Sequence, residues 1–281
     1  MAKARNELHY YVPDPSAYPA VVNAGLFFLA LGFVLKLNSL ALATPSLLTG
    51  ALVTVYGAVA WIGRIIGENE TGRYHEWEDR SFRIGMGYFI AAELMFIAAF
   101  LAALLYTRGF ALPGLHAADL LWPGFEGKWP SSGPAGKPFT PLNAWGVPAV
   151  NTLLLLISAA TAAWARAGLI KNNRGQMTAG LLLTIVLGAT FLVQQLLEYG
   201  HAYDLGVLIG TGAYGTMFYT LTGVHGLHLV FGLVMLLVIL FRELIGHFTP
   251  ERHFGLDGVA WYWNFVVVAP GVLVFVYFYW L

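Results

Sequence analysis

The chain has 281 residues, 58% hydrophobic and only 11% charged, with 15 basic residues balanced by 15 acidic ones. Soluble domains carry about 25% charged residues, so an ordinary soluble globular protein is excluded. The zero net charge gives no footing for nucleic acid. The lack of cysteine rules out disulfides, thiolate metal ligands and iron–sulfur clusters in this chain.

The opening segment MAKARNELHYYVPDPSAYP is polar. It has no small-residue cleavage site, so it is expected to be retained rather than removed as a signal peptide. Apolar runs of about 20 residues follow, the length a helix needs to cross a hydrocarbon core of about 30 Å. They cover about 18–37, 42–62, 84–106, 142–164, 177–197, 213–240 and 259–281. None alternates with period two, which argues against a membrane β-barrel. The sequence therefore predicts an all-α integral membrane protein, a single membrane domain over 1–281 with seven transmembrane helices. Runs one and two, joined by a short loop containing Pro45, form a hairpin expected to stand apart from the other five.

Two segments interrupt the rhythm. ENETGRYHEWEDRSFR (68–83) mixes both charge signs and reads as an inner loop between runs two and three. Residues 108–141, with LPG, WPG and WPSSGPAGKP, read as turns rather than helix on the outer side. Most basic residues then fall inside, among them Lys3, Arg5, Arg64, Arg83, Arg166, Arg174 and Arg242, while Lys36, Arg108, Lys128 and Lys137 fall outside. That asymmetry predicts an inner N-terminus and an outer C-terminus. Trp61, Tyr106, Trp145, Trp164, Tyr199, Trp261, Trp263, Tyr279 and Trp280 sit near run ends, where interfacial anchors belong.

Polar residues inside the runs are few, so each carries information. Glu93 stands alone in YFIAAELMFIAAF, costly if charged and in need of a hydrogen-bond partner if neutral. Gln194 and Glu198 in FLVQQLLEYG are four apart and share a helical face. His225 and His228 in TLTGVHGLH are three apart, with Gly223 and Gly226 beside them as places for close helix approach. A His-x-x-His pair with Glu93 or Glu198 can hold a metal, but histidines inside membranes more often hydrogen-bond across helices. A lone acid is a thin basis for a proton or ion pathway. On the residues alone, a stand-alone transporter and a metal- or quinone-binding subunit both stay open.

Several segments, in order, point further: SFRIGMGYFIAAELMF, PLNAWGVPAVNTLLLLISAATAAWA, TIVLGATFLVQQLLEY, GAYGTMFYTLTGVHGLHLVFG and HFGLDGVAWYWNFVVV. Together they resemble helices three to seven of cytochrome c oxidase subunit III, and the likeness runs from about residue 10 to the end. The resemblance implies a subunit of a haem–copper terminal oxidase in aerobic respiration that carries no haem, copper or other metal of its own. Those cofactors then lie in partner subunits. The expected partners are oxidase subunit I above all, subunit II, and cytochrome c or another electron donor acting on the complex. Phospholipid is expected in a cleft between the first two helices and the other five, with support of proton uptake, in a bacterial plasma membrane. Glu93 takes the place of the family's carbodiimide-reactive acid. Trp61, Arg242 and His247 fall where the family meets lipid headgroups, and His75 is a looser match. The family's last helix usually reads Trp-Tyr-Trp-His-Phe-Val-Asp; here Asn264 and Val267 stand instead, followed by Pro270, which should kink the helix. Arg166 replaces a family histidine after the fourth helix. The first guess for the partner of Glu93 is His225.

Overall fold

A computed structural model describes residues 11–276. Helices α1 (Tyr18–Leu37), α2 (Ala43–Glu70), α3 (Glu76–Tyr106), α4 (Leu112–Ala117), α5 (Val147–Ile170), α6 (Arg174–Asp204), α7 (Ala213–Leu244), α8 (Phe254–Val266) and α9 (Val272–Val274) follow in chain order. Wider π-helical turns, Thr107–Ala111 and Val267–Gly271, join α3 to α4 and α8 to α9. Seven of the resulting rods are long and apolar enough to cross a membrane. Among the described residues there is no strand. The expectation of seven membrane helices therefore holds. Lys3, Arg5, Tyr279, Trp280 and the last residues of the seventh run lie outside the described residues.

The chain divides into two compact units at Phe82/Arg83. In the first, α1 and α2 form the expected hairpin, held by small residues seven apart. Gly25 and Gly32 of α1 and Ala43, Gly50 and Gly57 of α2 are the buried positions of the contact. A seven-residue repeat keeps one seam facing the partner helix along its length. The seam has no room for side chains: a Cβ on Gly25 would lie 2.5 Å from the Thr54 backbone nitrogen, and one on Gly50 2.5 Å from that of Leu29. Between helices that face lipid, such backbone approach replaces the hydrophobic effect as the source of association.

The 68–83 segment departs from its reading as a loop. Only residues 71–75 are non-helical. Glu, Arg and Trp there are adequate helix formers, and α3 is started by a side chain. Glu78, third in the helix, reaches back to accept the backbone N–H of His75 at 2.8 Å, one half of a capping box. Its other oxygen accepts from the backbone N–H of Tyr11 at 3.1 Å, tying down the incoming chain. Residues 107–117 likewise continue as helix, because Pro113 falls in the first turn of α4, where no N–H is needed.

In the second unit α5 and α6 approach on Gly168 and Gly180, where a Cβ would come 2.7 Å from the Met177 backbone nitrogen and 2.8 Å from Ala165. Gly223 and Gly226 do not play the part expected of them within the described residues, since none of these lies within 4 Å of a Cβ at either. Close approach occurs at Gly188 and Gly232, which both meet Trp263. Trp263 is fully buried. It is a wedge between helices rather than an interfacial anchor, which corrects the reading from its position near a run end.

Helix endings share one device. A residue in the left-handed region follows α1 (Ser39), α2 (Gly72), α5 (Asn172), α6 (Gly206) and α7 (Gly246). In each, the next N–H returns to a carbonyl of the last turn, as from Leu40 to Leu35 and from Val207 to Ala202. This is the Schellman motif, which satisfies carbonyls that otherwise lack donors.

Candidate functional site

Glu93 has a partner, and it is His228. His228 Nε2 lies 3.2 Å from Glu93 Oε2, with the carboxylate side chain 22% and the imidazole 12% exposed. The two are positioned by α3 and α7, and the residues around them explain the choice. The Phe96 ring stands edge-on to the imidazole, centroids 6.4 Å apart, and the Tyr262 hydroxyl donates to the His228 carbonyl at 3.2 Å. Glu93→Gln keeps a group able to hydrogen-bond the imidazole. The variant is expected to assemble normally and to lose carbodiimide labelling, which mass spectrometry of the treated complex would read.

His225, the first guess for that partner, is engaged elsewhere. Its Nε2 donates to the Val266 carbonyl at 3.1 Å. The reason lies four residues on: Pro270 has no N–H to return to that oxygen, as an α-helix would require. The π-helical turn over Val267–Gly271 absorbs the proline. The seventh run is thus re-wound at Pro270, and an imidazole from α7 serves the carbonyl that the ring deprives. Sequence spacing put His225 and His228 on one face; the structure sends them to different helices.

A second polar group lines a small cavity in the same unit. Its walls include Asn151 of α5, Gln195 and Glu198 of α6, and Thr222 and His225 of α7. The buried positions of α6 run through Gly188, Phe191, Gln195 and Glu198. Gln195 therefore belongs with Glu198 on the inner face, and Gln194 is only half-buried beside it. Following that apolar stripe residue by residue would have singled out Gln195 from sequence. Thr222 Oγ1 donates to the Phe218 carbonyl at 2.6 Å and accepts from the Tyr199 hydroxyl at 3.0 Å.

A third cluster was not anticipated. Asp257 in the first turn of α8 is fully buried. Arg83 Nη1 donates to its Oδ2 at 2.7 Å, Arg166 Nε donates to Oδ1, and His253 Nε2 lies 3.4 Å from Oδ2. Arg166 is thereby one of two guanidinium groups that hold this acid. Asp257 precedes the apolar run that begins at about 259, so hydropathy does not single it out.

The residues expected to meet lipid fall into two places. Trp61 lines a cavity of about 260 Å³ in the first unit, together with Arg64, Glu68 and Tyr74. Glu68 accepts from the Tyr74 hydroxyl at 2.8 Å and from Arg64 Nε at 3.0 Å. Burial, reinforced by that bond to Glu68, holds the Tyr74 phenol above its ordinary pKa. His75 is exposed at the start of α3, where its backbone rather than its ring is engaged. Arg242 and His247 lie in the second unit and are the two ends of one Schellman turn. The His247 N–H returns to the Arg242 carbonyl at 3.0 Å, and Gly246 N–H to that of Glu243 at 2.9 Å. The Arg242 guanidinium carbon stands 4.7 Å from the Phe248 ring centroid, a cation–π contact. Gly246 has φ +80°, so Gly246→Ala should cost about 1–2 kcal/mol and shift the His247 backbone away from Arg242. Thermal unfolding of the assembled complex would detect it.

Comparison with known proteins covers nearly the whole chain. The family described as cytochrome c oxidase subunit III matches residues 8–281. A cytochrome c oxidase subunit 3 of Papio hamadryas is 37% identical over 267 residues, 94% of each chain. One of Pongo abelii is 35% identical over 281 residues, 100% of this chain and 99% of that one. One of Formosania lacustris is 35% identical over 274 residues, 96% of each. With seven apolar helices in the order that the motifs required, this multi-pass chain belongs to the cytochrome c oxidase subunit III family.

Proposed function

We propose that the chain serves its haem–copper oxidase as a non-redox subunit. Its parts are to stabilise subunit I beside subunit II, to bind phospholipid, and to support proton uptake while cytochrome c or another donor reduces the complex. The observation that carries this reading is how the two intramembrane histidines are used. His225 Nε2 is spent on the Val266 carbonyl and His228 Nε2 on Glu93, so the pair is not presented as two ligands to one ion. Among the described residues, no three His, Asp or Glu side chains gather into a metal-holding group. The proposal assigns electron transfer and oxygen chemistry to the partner subunits. The bacterial plasma membrane is part of the proposal.

Lipid binding rests on the cavity beside Trp61. Aromatic walls from Trp61, Tyr74 and Phe82 meet polar groups from Arg64 and Glu68, a combination that suits the boundary between acyl chains and headgroups. Arg242 and His247, held in one turn, can offer charge-assisted hydrogen bonds to a phosphate.

The test is made on the purified oxidase, separated into this chain and the remainder. The remainder is expected to keep all haem and copper and to turn over at first, then to lose activity faster than the intact complex. Stoichiometric iron, copper or zinc in the isolated chain would refute the non-redox role. Lipid extracted from a Trp61→Ala complex should fall short of the wild-type amount; an equal amount would separate the cavity from lipid binding.

A further inference from the structure

We propose that the cavity between α5, α6 and α7 is a built site for one water molecule, bridging Asn151 and Gln195 beside Glu198. The cavity has a volume of about 20 Å³. A water needs about 10–15 Å³, so the space has room for a water molecule. Its walls supply the required polarity. Asn151 Oδ1 and Gln195 Nε2 are both buried, and neither makes a hydrogen bond of good geometry to the described residues; the Gln195 side chain approaches the Tyr199 hydroxyl without completing one. One is an acceptor and the other a donor. Both residues are more than nine-tenths buried, at 3% and 8% exposure, and both line this cavity.

Energetics favours occupancy. Two orphaned amide atoms inside a membrane protein each carry a desolvation penalty, and ordering one water costs less than leaving both unpaired. A single water donating to Asn151 Oδ1 and accepting from Gln195 Nε2 removes both penalties together. Glu198, 5% exposed, faces the same space and supplies a third partner, within the two to four that buried waters hold. The Thr222 hydroxyl is already committed to Phe218 and Tyr199, and His225 Nε2 to Val266. The unfilled valences therefore converge from α5 and α6. An apolar cavity of this size would stay dry; this one is lined by the buried amide atoms of Asn151 and Gln195.

The test uses the whole oxidase complex with the full chain. A density map fine enough to show ordered solvent is expected to place one water within hydrogen-bond distance of Asn151 Oδ1 and Gln195 Nε2. A direct Asn151–Gln195 bond, an acyl chain in the space, or an empty cavity would each overturn the site. Infrared difference spectra in ¹⁸O-labelled against ordinary water give a second reading. The wild-type complex should show an isotope-shifted internal O–H stretch that Gln195→Met lacks. Asn151→Leu, which removes the acceptor instead of the donor, should lose the same band, so the result does not depend on one variant assembling. A band that survives both substitutions would refute the site.

Discussion

Replacing Asp257 by asparagine is expected to lower the stability of the assembled complex by about 2–3 kcal/mol, read as a fall in its thermal denaturation midpoint. The carboxylate side chain is 1% exposed, while those of Arg83 and Arg166 are 31% and 40% exposed. Removing one member of a buried charge pair costs about 3–5 kcal/mol, and the partial exposure of both arginines trims that range, since solvent screens what they lose. An asparagine can turn its oxygen toward only one guanidinium. Its amide N–H₂ then faces the other cation, donor against donor. Arg166→Gln should cost less than half as much, because Asp257 keeps Arg83 at 2.7 Å and His253 nearby. Equal losses in the two variants would show that the acid is not the centre of the cluster.

The effect should be local in its cause. Asp257 lies in the first turn of α8, where a negative side chain also complements the helix dipole by about 0.3–1 kcal/mol. It joins α8 to α3 through Arg83 and to α5 through Arg166. Three helices of the second unit thus meet at one buried charge, outside the apolar stretches that define their membrane crossings.

Much of the architecture was legible because the bilayer forces it. A chain that must satisfy every backbone group internally has few choices, so runs of apolar residues located seven helices, and the first was placed at 18–37 where α1 stands. Where the prediction slipped, local chemistry had overruled composition. The charged 68–83 segment looked like a loop because hydropathy measures lipid preference and not helix formation; the cap from Glu78 extends α3 into it. Site geometry was harder. The sequence placed Glu93, His225 and His228 correctly on membrane helices but could not tell which histidine Glu93 meets. That depends on how α3 and α7 are rotated and on Pro270, forty-five residues after His225, which claims His225 for its own helix. Gln195 was within reach of the periodicity, and Asp257 was not, because its partners come from helices far apart in the chain.

Trp263→Ala is expected to be the most damaging single truncation in the second unit, costing about 3–5 kcal/mol. The indole is fully buried, and its Nε1 donates to Ser158 Oγ at 3.1 Å. Its outer ring lies where a Cβ on Gly188 would come 2.5 Å from Cη2, and where one on Gly232 would come 2.8 Å from Cε3. The side chain therefore fills the space that two glycines leave between α6, α7 and α8. Losing it opens a cavity that rigid helices cannot collapse into. Ser158→Ala should cost less, about 1–3 kcal/mol, because it leaves the buried indole N–H without its acceptor but keeps the packing. The converse substitution, Gly188→Ala, overfills the site and should cost about 1–3 kcal/mol. A double-mutant cycle makes this argument specific. Trp263→Phe removes Cη2 and Cζ2, the atoms that a Cβ on residue 188 would strike. Gly188→Ala combined with Trp263→Phe should therefore be more stable than the two separate losses predict when added. Neighbours that share a cavity depart from additivity by about 0.5–3 kcal/mol. Strict additivity, measured by denaturation of the purified complexes, would mean that the indole does not press against Gly188 and that the helices are held apart by something else.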